Sequence, residues 1–450
     1  MSKKIPEPTA LPIERAFLVG VQIYDDPHLL SLEDSLQELE QLAETAGLIP
    51  VGYTAQKLSK PNQETYIGSG KVDEIMALIE ELFVDVVVFD NELNPRNLRE
   101  LENKLGPKAR IIDRTALILD IFAQHANTRE GILQVELAQY EYRLPRLTRA
   151  WTHLARQAGG GAGRTGSIGG VGLRGPGETQ LEVDRREIQN KINHLKNELE
   201  KVRAHRSRYR AQRRKSNIPT VALVGYTNAG KSTLLNRLSN SDIYVADKLF
   251  ATLDPTTRQI HFPSGQKVLL TDTVGFIQKL PTQLIAAFRA TLEEISEANL
   301  LIHVVDISHP NAFAHWKSVE QTLSEIGAGE IPTISALNKI DTIPDPEIVK
   351  QITQDFTNSV AISALNGNGL NDLLEIVQLN LVSNYINVSL EIPYQQGHLI
   401  SILYEKADIE SILHQKNSIM VRANIPRSLI KQFEPYRKLT RSKENRYLEN

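Results

Sequence analysis

Short apolar runs alternate with amphipathic stretches over residues 16 to about 125. Residues 16–23 and 84–89 are apolar enough to form buried strands. Residues 31–46 carry leucines at helical spacing with acidic residues on the opposite side, and residues 71–82 also favour a helix. Strands that alternate with helices predict a small parallel α/β domain.

Two heptad patterns follow this first region. The first is formed by Leu133, Leu137, Tyr140, Leu144, Leu147, Trp151 and Leu154. The second is formed by Leu181, Ile188, Ile192, Leu195, Leu199 and Val202. Two such seams joined by a loop predict an antiparallel helical hairpin in which each helix buries the apolar stripe of the other. Pro145 predicts a kink inside the first helix.

The segment between the two seams is rich in glycine and arginine. Ten of the nineteen residues from 159 to 177 are glycine, and residues 143–174 contain six arginines and no acid. The second helix ends in a basic run, residues 201–215, with eight Lys or Arg. This combination suits a structured RNA surface, which is recognised largely through its backbone and shape. A flexible linker followed by a solvated charge run is an equal alternative from these residues alone.

Strand and helix patterns resume at residue 218. The apolar runs at 220–225, 267–271, 300–306, 333–337 and 360–363 predict strands, with helices between several of them. After about residue 381 the pattern changes again, and residues 388–393, 398–404 and 419–424 predict a small final domain.

Composition narrows the classes of function. The chain has 450 residues, a formal net charge of −3 and no cysteine, which excludes disulfides, thiolate metal sites and a cysteine nucleophile. Residues 1–15 lack the apolar core of a signal peptide, and no run approaches the ~18 apolar residues of a membrane span. We therefore expect a cytoplasmic, monomeric protein without a membrane span.

The decisive segment is a phosphate-binding loop pattern between a predicted strand and a helix-compatible run. Its residues are Gly225, Tyr226, Thr227, Asn228, Ala229, Gly230, Lys231 and Ser232. Glycines let the backbone wrap around phosphates, and backbone N–H groups at the helix N-terminus attract them. We expect Lys231 to reach the outer phosphates during catalysis and Ser232 to coordinate magnesium.

A second pair of motifs decides between ATP and GTP. The first follows a predicted strand and consists of Asn338, Lys339, Ile340 and Asp341, and the second consists of Ser363, Ala364 and Leu365. A buried Asp341 carboxylate can accept hydrogen bonds from two donors of guanine that adenine lacks, so adenine would leave it unpaired. Asn338 is expected to hold the loops together, and a backbone amide near Ser363 to donate to the guanine carbonyl.

Two further loops have the positions of nucleotide switches. One consists of Phe250, Ala251, Thr252, Leu253 and Asp254, and the other of Asp272, Thr273, Val274 and Gly275. We expect Asp272 to hold magnesium and Thr252 to close over it, so that the metal ligands are Ser232, Thr252 and Asp272. Gly275 can offer its amide to the γ-phosphate, which makes Lys231, Thr252 and Gly275 the candidate catalytic residues.

Two positions leave questions open. Asn228 stands where potassium-activated GTPases carry an asparagine ligand, and K⁺ binding and simple loop shaping are equally compatible with it. Phe276 and Ile277 stand where many small GTPases carry a water-orienting glutamine. We therefore expect slow intrinsic hydrolysis, with the missing group supplied by a partner or by another part of the chain.

Taken together, these residues resemble the translation-factor-related GTPases, and more closely the HflX family. The resemblance is carried by residues 172–186, 66–72, 113–115, 128–131, 250–255 and 272–277. It covers about residues 16–425, and the glycine-rich loop departs from the family pattern by an apparent lengthening at 161–170. The resemblance implies binding to the large ribosomal subunit and its rRNA, in ribosome recycling or rescue under stress or in assembly.

The expected fold class is α/β, with a P-loop GTPase domain as its third part. We expect a small α/β domain at 16–130, a helical hairpin with a glycine-rich loop at 131–216, the GTPase domain at 217–382 and a small α+β domain at 383–450. The expected function is Mg²⁺-dependent hydrolysis of GTP on the large ribosomal subunit. A signalling switch with protein effectors and an ATP-linked RNA remodeller that uses the N-terminal domain are the alternatives.

Overall fold

The structure is a computed structural model. It describes residues 13–24, 30–106, 108–147, 180–215, 218–240, 249–250, 252–262, 265–279, 294–383, 385–415, 417–426 and 429–438. The glycine-rich loop at 159–177 and Ala251 lie outside the described residues. The backbone of the basic run is described, but its side chains at 205–215 are not.

The N-terminal domain is a four-stranded parallel sheet in the order β2-β1-β3-β4. Its strands are β1 (Arg15–Ile23), β2 (Ile49–Leu58), β3 (Val86–Phe89) and β4 (Arg110–Asp113). Its helices are α1 (Leu32–Thr45), α2 (Ser69–Leu82), α3 (Pro95–Leu105) and α4 (Arg114–His125). Side chains of Ser31, Asn94 and Asp113 accept hydrogen bonds at the first turns of α1, α3 and α4, which fixes where these helices begin. The predicted parallel α/β domain is confirmed.

The hairpin consists of α5 (Arg129–Arg143) and α6 (Gln180–Lys215). Leu137 of α5 packs with Ile192, Leu195 and Leu199 of α6 in one buried cluster. The two helices run antiparallel, because α5 begins beside Glu198 and ends near residue 191.

The predicted kink at Pro145 is wrong. Helix α5 ends at Arg143, and Pro145 lies in a short 3₁₀ turn, Leu144–Arg146. Proline has no N–H to donate and its ring clashes with the preceding turn, so the α-helix ends instead of bending. Trp151 and Leu154, the last positions of the predicted seam, lie outside the described residues.

The second α/β domain has a six-stranded sheet in the order β10-β9-β8-β5-β7-β6. Its strands are β5 (Thr220–Gly225), β6 (Thr256–His261), β7 (Lys267–Asp272), β8 (Leu300–Asp306), β9 (Thr333–Asn338) and β10 (Ser359–Ala361). Its helices are α7 (Lys231–Ser239), α8 (Ala312–Glu325), α9 (Pro346–Gln354) and α10 (Leu370–Ser383). Within this sheet, the outermost strand β6 pairs antiparallel and the other described pairs are parallel. The loops after β5, β7, β8 and β9 therefore meet at the carboxyl ends of these strands.

The C-terminal domain is a small α+β unit with an antiparallel sheet in the order β11-β13-β12. Its strands are β11 (Tyr385–Pro393), β12 (Asp408–His414) and β13 (Ser418–Pro426). Its helices are α11 (Gly397–Lys406) and the short α12 (Ile430–Phe433). Leu399 and Leu403 place α11 on one face of this sheet. None of the described helices is long and apolar enough to cross a membrane.

One apolar cluster joins the N-terminal domain to the second α/β domain. Leu249, Phe250 and Leu253 are buried in the same cluster as Phe122 of α4 and Val135 of α5. Phe276 and Ile277, which follow β7, belong to it as well. The two predicted switch loops are therefore packed against the neighbouring domain.

Candidate functional site

The loop after β5 has the backbone of a phosphate cradle. Asn228 and Gly230 have left-handed φ values of +59° and +95°, so successive N–H groups turn inward before α7 begins at Lys231. A Cβ on Gly230 would overlap the side-chain amide of Asn338, and one on Gly225 would overlap the carbonyl oxygen of Val304. Only glycine allows these two close approaches.

Lys231 lies across the mouth of this loop and is buried. Its Nζ donates to the carbonyl oxygens of Gly225, at 3.1 Å, and Tyr226, at 2.7 Å. Burial lowers the pKa of Lys231 to about 8, although the carboxylate of Asp272 acts in the opposite direction. A buried ammonium whose hydrogen bonds go to two carbonyl oxygens is well placed to receive an anionic group.

The three predicted metal ligands meet at one point. Ser232 Oγ donates to Asp272 Oδ2 over 2.6 Å and lies 2.8 Å from Thr252 Oγ1. Asp272 Oδ1 is buried and accepts no hydrogen bond from the residues that the structure describes. Burial raises the pKa of Asp272, while Lys231 and Ser232 oppose the shift.

This oxygen set fits magnesium. Mg²⁺ is usually bound by one or two carboxylates, hydroxyls, waters and substrate phosphates and not by a cage of many protein ligands. In the described part of the chain, no group of three or more His, Cys, Asp or Glu side chains is arranged to hold a metal. Ser232, Thr252 and Asp272 would therefore hold the ion together with a phosphate ligand.

Gly275 lies directly against the phosphate loop. The N–H of Thr227 donates to the carbonyl of Phe276 at 2.8 Å, and the N–H of Phe276 donates to Gly225 at 3.0 Å. A Cβ at Gly275 would lie 2.8 Å from Thr227 Cγ2 and 3.1 Å from Lys231 Nζ. Upstream of it, Thr273 Oγ1 donates to the carbonyl of Leu223 at 2.6 Å, which anchors the start of this loop to β5.

Asn338 joins three loops. Its Nδ2 donates to the carbonyl of Ala229 at 2.8 Å, and its Oδ1 accepts from the N–H of Ala364 at 2.9 Å. Asp341 accepts a hydrogen bond from Ser363 Oγ, so the side chains of the two predicted base motifs meet. The carboxylate of Asp341 belongs to an exposed residue here, so the burial expected from the sequence would have to come from the base itself.

Two other residues of these motifs are also placed by the structure. Lys339 has a left-handed φ of +69°, and its Nζ pairs with Asp306 Oδ2 at 2.7 Å, which fixes the start of the Ile340–Thr342 turn. Leu365 is 68% exposed beside the buried Ala364, so it offers an apolar cover next to Asp341. Ala251 is the one predicted site residue that lies outside the described residues.

Sequence reasoning missed a buried polar network on the other side of the phosphate loop. Tyr226 donates to the carboxylate of Glu38 in α1 and accepts from the N–H of Gln278 at 2.8 Å. Arg114 lies between Glu38 and Asp90, at 2.6 Å from Asp90 Oδ1. Burial raises the pKa of Tyr226 to about 12 and lowers that of Arg114 to about 10.

The same network reaches the loop after β7. Lys279 donates to Asp90 and, at 3.1 Å, to Ser35 Oγ. Ser35 in turn donates to Asp90 Oδ2 at 2.8 Å. Helix α1 thus contacts both the phosphate loop, through Glu38 and Tyr226, and the loop after β7, through Ser35 and Lys279.

Family models match four consecutive parts of the chain. The matches are GTP-binding GTPase N-terminal over residues 33–123, GTP-binding GTPase Middle Region over 125–213, 50S ribosome-binding GTPase over 220–339 and HflX C-terminal domain over 348–443.

Curated relatives cover most of the chain. GTPase HflX of Alkalihalophilus pseudofirmus is 46% identical over 399 residues, which are 89% of this chain and 90% of the relative. GTPase HflX of Caldanaerobacter subterraneus subsp. tengcongensis is 44% identical over 412 residues, which are 92% of this chain and 91% of the relative. Among solved structures, a GTP-binding protein from Sulfolobus solfataricus in complex with GDP matches 82% of this chain and 99% of its own, with 25% identity and a TM-score of 0.41.

Proposed function

The chain belongs to the HflX family of GTPases and is a GTP hydrolase, and from this premise we propose that it hydrolyses GTP with Mg²⁺ on the large ribosomal subunit. The convergence of Lys231, Ser232, Thr252 and Asp272 at one point is the observation that carries the chemistry. The match of residues 220–339 to the 50S ribosome-binding GTPase family supports the partner. We place its work in protein synthesis, in ribosome recycling or rescue under stress, or in ribosome biogenesis.

The residues of the chain divide the work as follows. Lys231 neutralises the outer phosphates, and the backbone amides around Asn228 and Gly230 hold the phosphate chain. Ser232, Thr252 and Asp272 hold the ion, which when bound offsets the charge that develops on the phosphate oxygens. Gly275 lies close enough to Lys231 for its backbone N–H to donate to the γ-phosphate that Lys231 contacts.

The base is selected by the loops that Asn338 joins. Asp341 accepts from the two donors of guanine, and Ser363 keeps its carboxylate in place. The N–H groups of Ala364 and Leu365 lie in the loop that faces the guanine carbonyl, and Ala364 N–H is already fixed by Asn338. Lys339 and Ile340 supply the turn that carries Asp341.

Hydrolysis by the isolated protein is expected to be slow. Phe276 and Ile277 are buried apolar residues at the positions where a water-orienting glutamine would stand. The group that orients the attacking water therefore comes from the ribosomal partner or from another part of the chain. We therefore expect GTP turnover to depend on that partner.

The arrangement of the chain follows the same proposal. We propose the domain limits 16–130, 131–216, 217–382 and 383–450, with the glycine-rich loop and the basic run of the hairpin as the rRNA contact. The protein acts as a cytoplasmic monomer. K⁺ is a candidate second ion at Asn228.

Cosedimentation with purified large subunits tests the proposal. We expect the chain to pellet with subunits in a non-hydrolysable GTP analogue more than in GDP, and subunits to stimulate GTP turnover. Lys231→Ala and Ser232→Ala should each reduce nucleotide binding or stimulated turnover, since each removes a contact to phosphate or metal. Turnover that subunits leave unchanged would exclude the ribosomal role, and normal turnover by both variants would exclude the site.

A further inference from the structure

Asp254 connects the first switch loop to the hairpin. Its Oδ2 accepts from the N–H groups of Asn127, at 3.1 Å, and Thr128, at 2.9 Å, and its Oδ1 accepts from the hydroxyl of Thr128. Asn127 and Thr128 immediately precede α5. A carboxylate that accepts three hydrogen bonds at the start of a helix is held firmly, and the helix dipole favours its charge.

The start of α5 is shaped to receive this carboxylate. Thr128 is the N-cap of α5, and its hydroxyl oxygen accepts from the N–H of Gly131 at 3.0 Å while its proton goes to Asp254. A Cβ at Gly131 would lie 2.6 Å from Asp254 Oδ1. Glycine at 131 therefore opens the space that the carboxylate occupies, which ties residues 128–131 to residues 250–255.

The switch loop is also anchored on the other side of Thr252. The ring of Phe250 packs edge-on against Phe122 of α4 with 4.6 Å between ring centroids, and Leu253 is buried. Thr252 itself points the other way, with Oγ1 at 2.8 Å from Ser232 Oγ. The reach of Thr252 toward Ser232 is thus set by contacts of its neighbours with α4 and α5.

Helix α5 carries this contact into the hairpin. Arg129, in its first turn, pairs with Glu198 of α6 at 3.0 Å, and Lys196 pairs with Glu141 at 2.9 Å. The apolar seam of Leu137 with Ile192, Leu195 and Leu199 joins the same two helices. A displacement of the first turn of α5 would therefore also displace α6.

We propose that Asp254 is a positioning residue for the hydrolytic site, through which the placement of Thr252 at the metal and the orientation of the hairpin form one structural state. The inference rests on the proposed function, since it takes Thr252 as a metal ligand. Whatever fixes Thr252 favours the docked arrangement of Asp254 on α5. Whatever fixes the hairpin favours Thr252 at the metal, because coupling between sites is reciprocal.

The test compares Asp254→Ala with Asp345→Ala, a matched control in which the exposed carboxylate that caps α9 is removed away from the switch loops. Mg²⁺ should slow the dissociation of a fluorescent GTP analogue. Asp254→Ala should raise the Mg²⁺ concentration needed for half of this effect by roughly tenfold, within the range usual for coupled sites. GDP affinity and the control should stay within about twofold of the parent protein. Subunit-stimulated turnover of Asp254→Ala should fall as well.

A second pair of variants separates positioning from stability. Thr128→Val removes the hydroxyl that donates to Asp254 and caps α5, and Thr128→Ser keeps both contacts. We expect Thr128→Val to raise the Mg²⁺ requirement as Asp254→Ala does, and Thr128→Ser to behave as the parent protein. The double variant Asp254→Ala, Thr128→Val should need no more Mg²⁺ than either single variant. An effect on unfolding alone, with the Mg²⁺ requirement unchanged in both variants, overturns the proposal.

Thr252→Ala distinguishes this failure from a failure of the proposed function. If Thr252→Ala leaves the Mg²⁺ requirement unchanged, the proposed metal site is wrong, and the positioning role of Asp254 falls with it. If Thr252→Ala impairs the Mg²⁺ response while Asp254→Ala and Thr128→Val do not, the metal site stands and only the link to the hairpin is wrong.

Discussion

A single side chain, Asn338, decides how the nucleotide loops are arranged relative to one another. Its amide contacts Ala229 in the phosphate loop and Ala364 in the loop after β10, at 2.8 and 2.9 Å. Because both polar atoms of a buried amide are used, the two loops keep one relative position. The proposed base site next to Asp341 would thus be preformed on rigid strand ends.

The first residue-scale prediction concerns Asp341. Asp341→Asn replaces one acceptor with a donor, so it should weaken GTP binding strongly and admit xanthine nucleotides, whose ring carries an oxygen in place of the guanine amine. Affinities for GTP and xanthosine triphosphate, measured side by side, check this. A variant that binds GTP as tightly as the parent protein contradicts the assignment of the base site.

The second prediction concerns His315, whose ring stacks on Tyr226 with 3.9 Å between centroids. Burial, helped by His309 and opposed by Asp306 and Asp34, lowers the pKa of His315 from 6.5 to about 4. The unfolded chain then binds more protons than the folded chain between these values, so stability falls as the pH falls from 6.5 toward 4. At pH 5 the loss relative to pH 7 is at most about 2 kcal/mol.

His315→Phe keeps a stacked ring and removes the titration. Urea unfolding at pH 7 and pH 5, followed by tryptophan fluorescence, should therefore show a smaller shift of the midpoint for His315→Phe than for the parent. His414→Phe is the matched control, because His414 stacks on Tyr394 but is exposed. Equal midpoint shifts in His315→Phe and the parent would show that the half-buried His315 is not the source.

At the scale of elements, local sequence patterns predicted helices and strands better than they predicted contacts between distant segments. The strand before the phosphate loop, the helix after it and the antiparallel hairpin follow from hydrophobic periodicity and turn residues. The end of α5 at Arg143 was missed because a heptad pattern continues through Pro145 although the α-helix does not.

The candidate site shows the same division. Lys231, Ser232, Thr252 and Asp272 were predicted from motifs and meet in the structure. Tyr226 was predicted as a nucleotide-binding residue of the phosphate loop, yet its hydroxyl reaches Glu38, which is 188 positions away. Pairings of that length have no local signature, because each partner is an ordinary polar residue in its own segment. The roles of Lys231, Ser232, Thr252 and Asp272 in nucleotide and metal binding remain predictions.

The element-scale prediction concerns the phosphate loop and a monovalent ion. Asn228 has a φ of +59°, a conformation that asparagine tolerates, so loop shaping alone can explain its presence. If its side chain also binds K⁺, turnover should be faster in K⁺ than in Na⁺. Asn228→Gly keeps the left-handed backbone and removes the side-chain oxygen, so it should lose that difference. Equal rates of the parent protein in the two salts exclude the ion.

At the scale of the whole molecule, the nucleotide loops lie between two domains and beside the hairpin. A cavity of about 100 Å³ is lined by Asp34 of α1, Asn228 of the phosphate loop and His315 of α8. Arg114 and Glu38 anchor the same face from the N-terminal side. Any change in the switch loops is therefore also a change at the surface of the neighbouring domain.

The last prediction concerns the basic end of α6, which leads directly into β5. Five arginines in this run are neutralised to glutamine, namely Arg206, Arg208, Arg210, Arg213 and Arg214. Subunit binding should weaken, because arginine contacts to RNA phosphates release counterions. GTP affinity of the free variant should stay unchanged, since none of these residues belongs to the phosphate, metal or base motifs. Neutralising five exposed lysines elsewhere, namely Lys60, Lys104, Lys317, Lys350 and Lys431, controls for the equal change in net charge.

Salt separates direct phosphate contact from a loss of structure. Each arginine that contacts a phosphate adds nearly one unit to the slope of log affinity against log salt, so the variant should show a shallower slope than the parent protein. The difference in subunit affinity between the two should therefore shrink as salt rises. A hairpin that only links two domains predicts equal slopes and full subunit-stimulated turnover in the variant. That result would remove the basic run from the RNA contact and leave the glycine-rich loop as the remaining candidate.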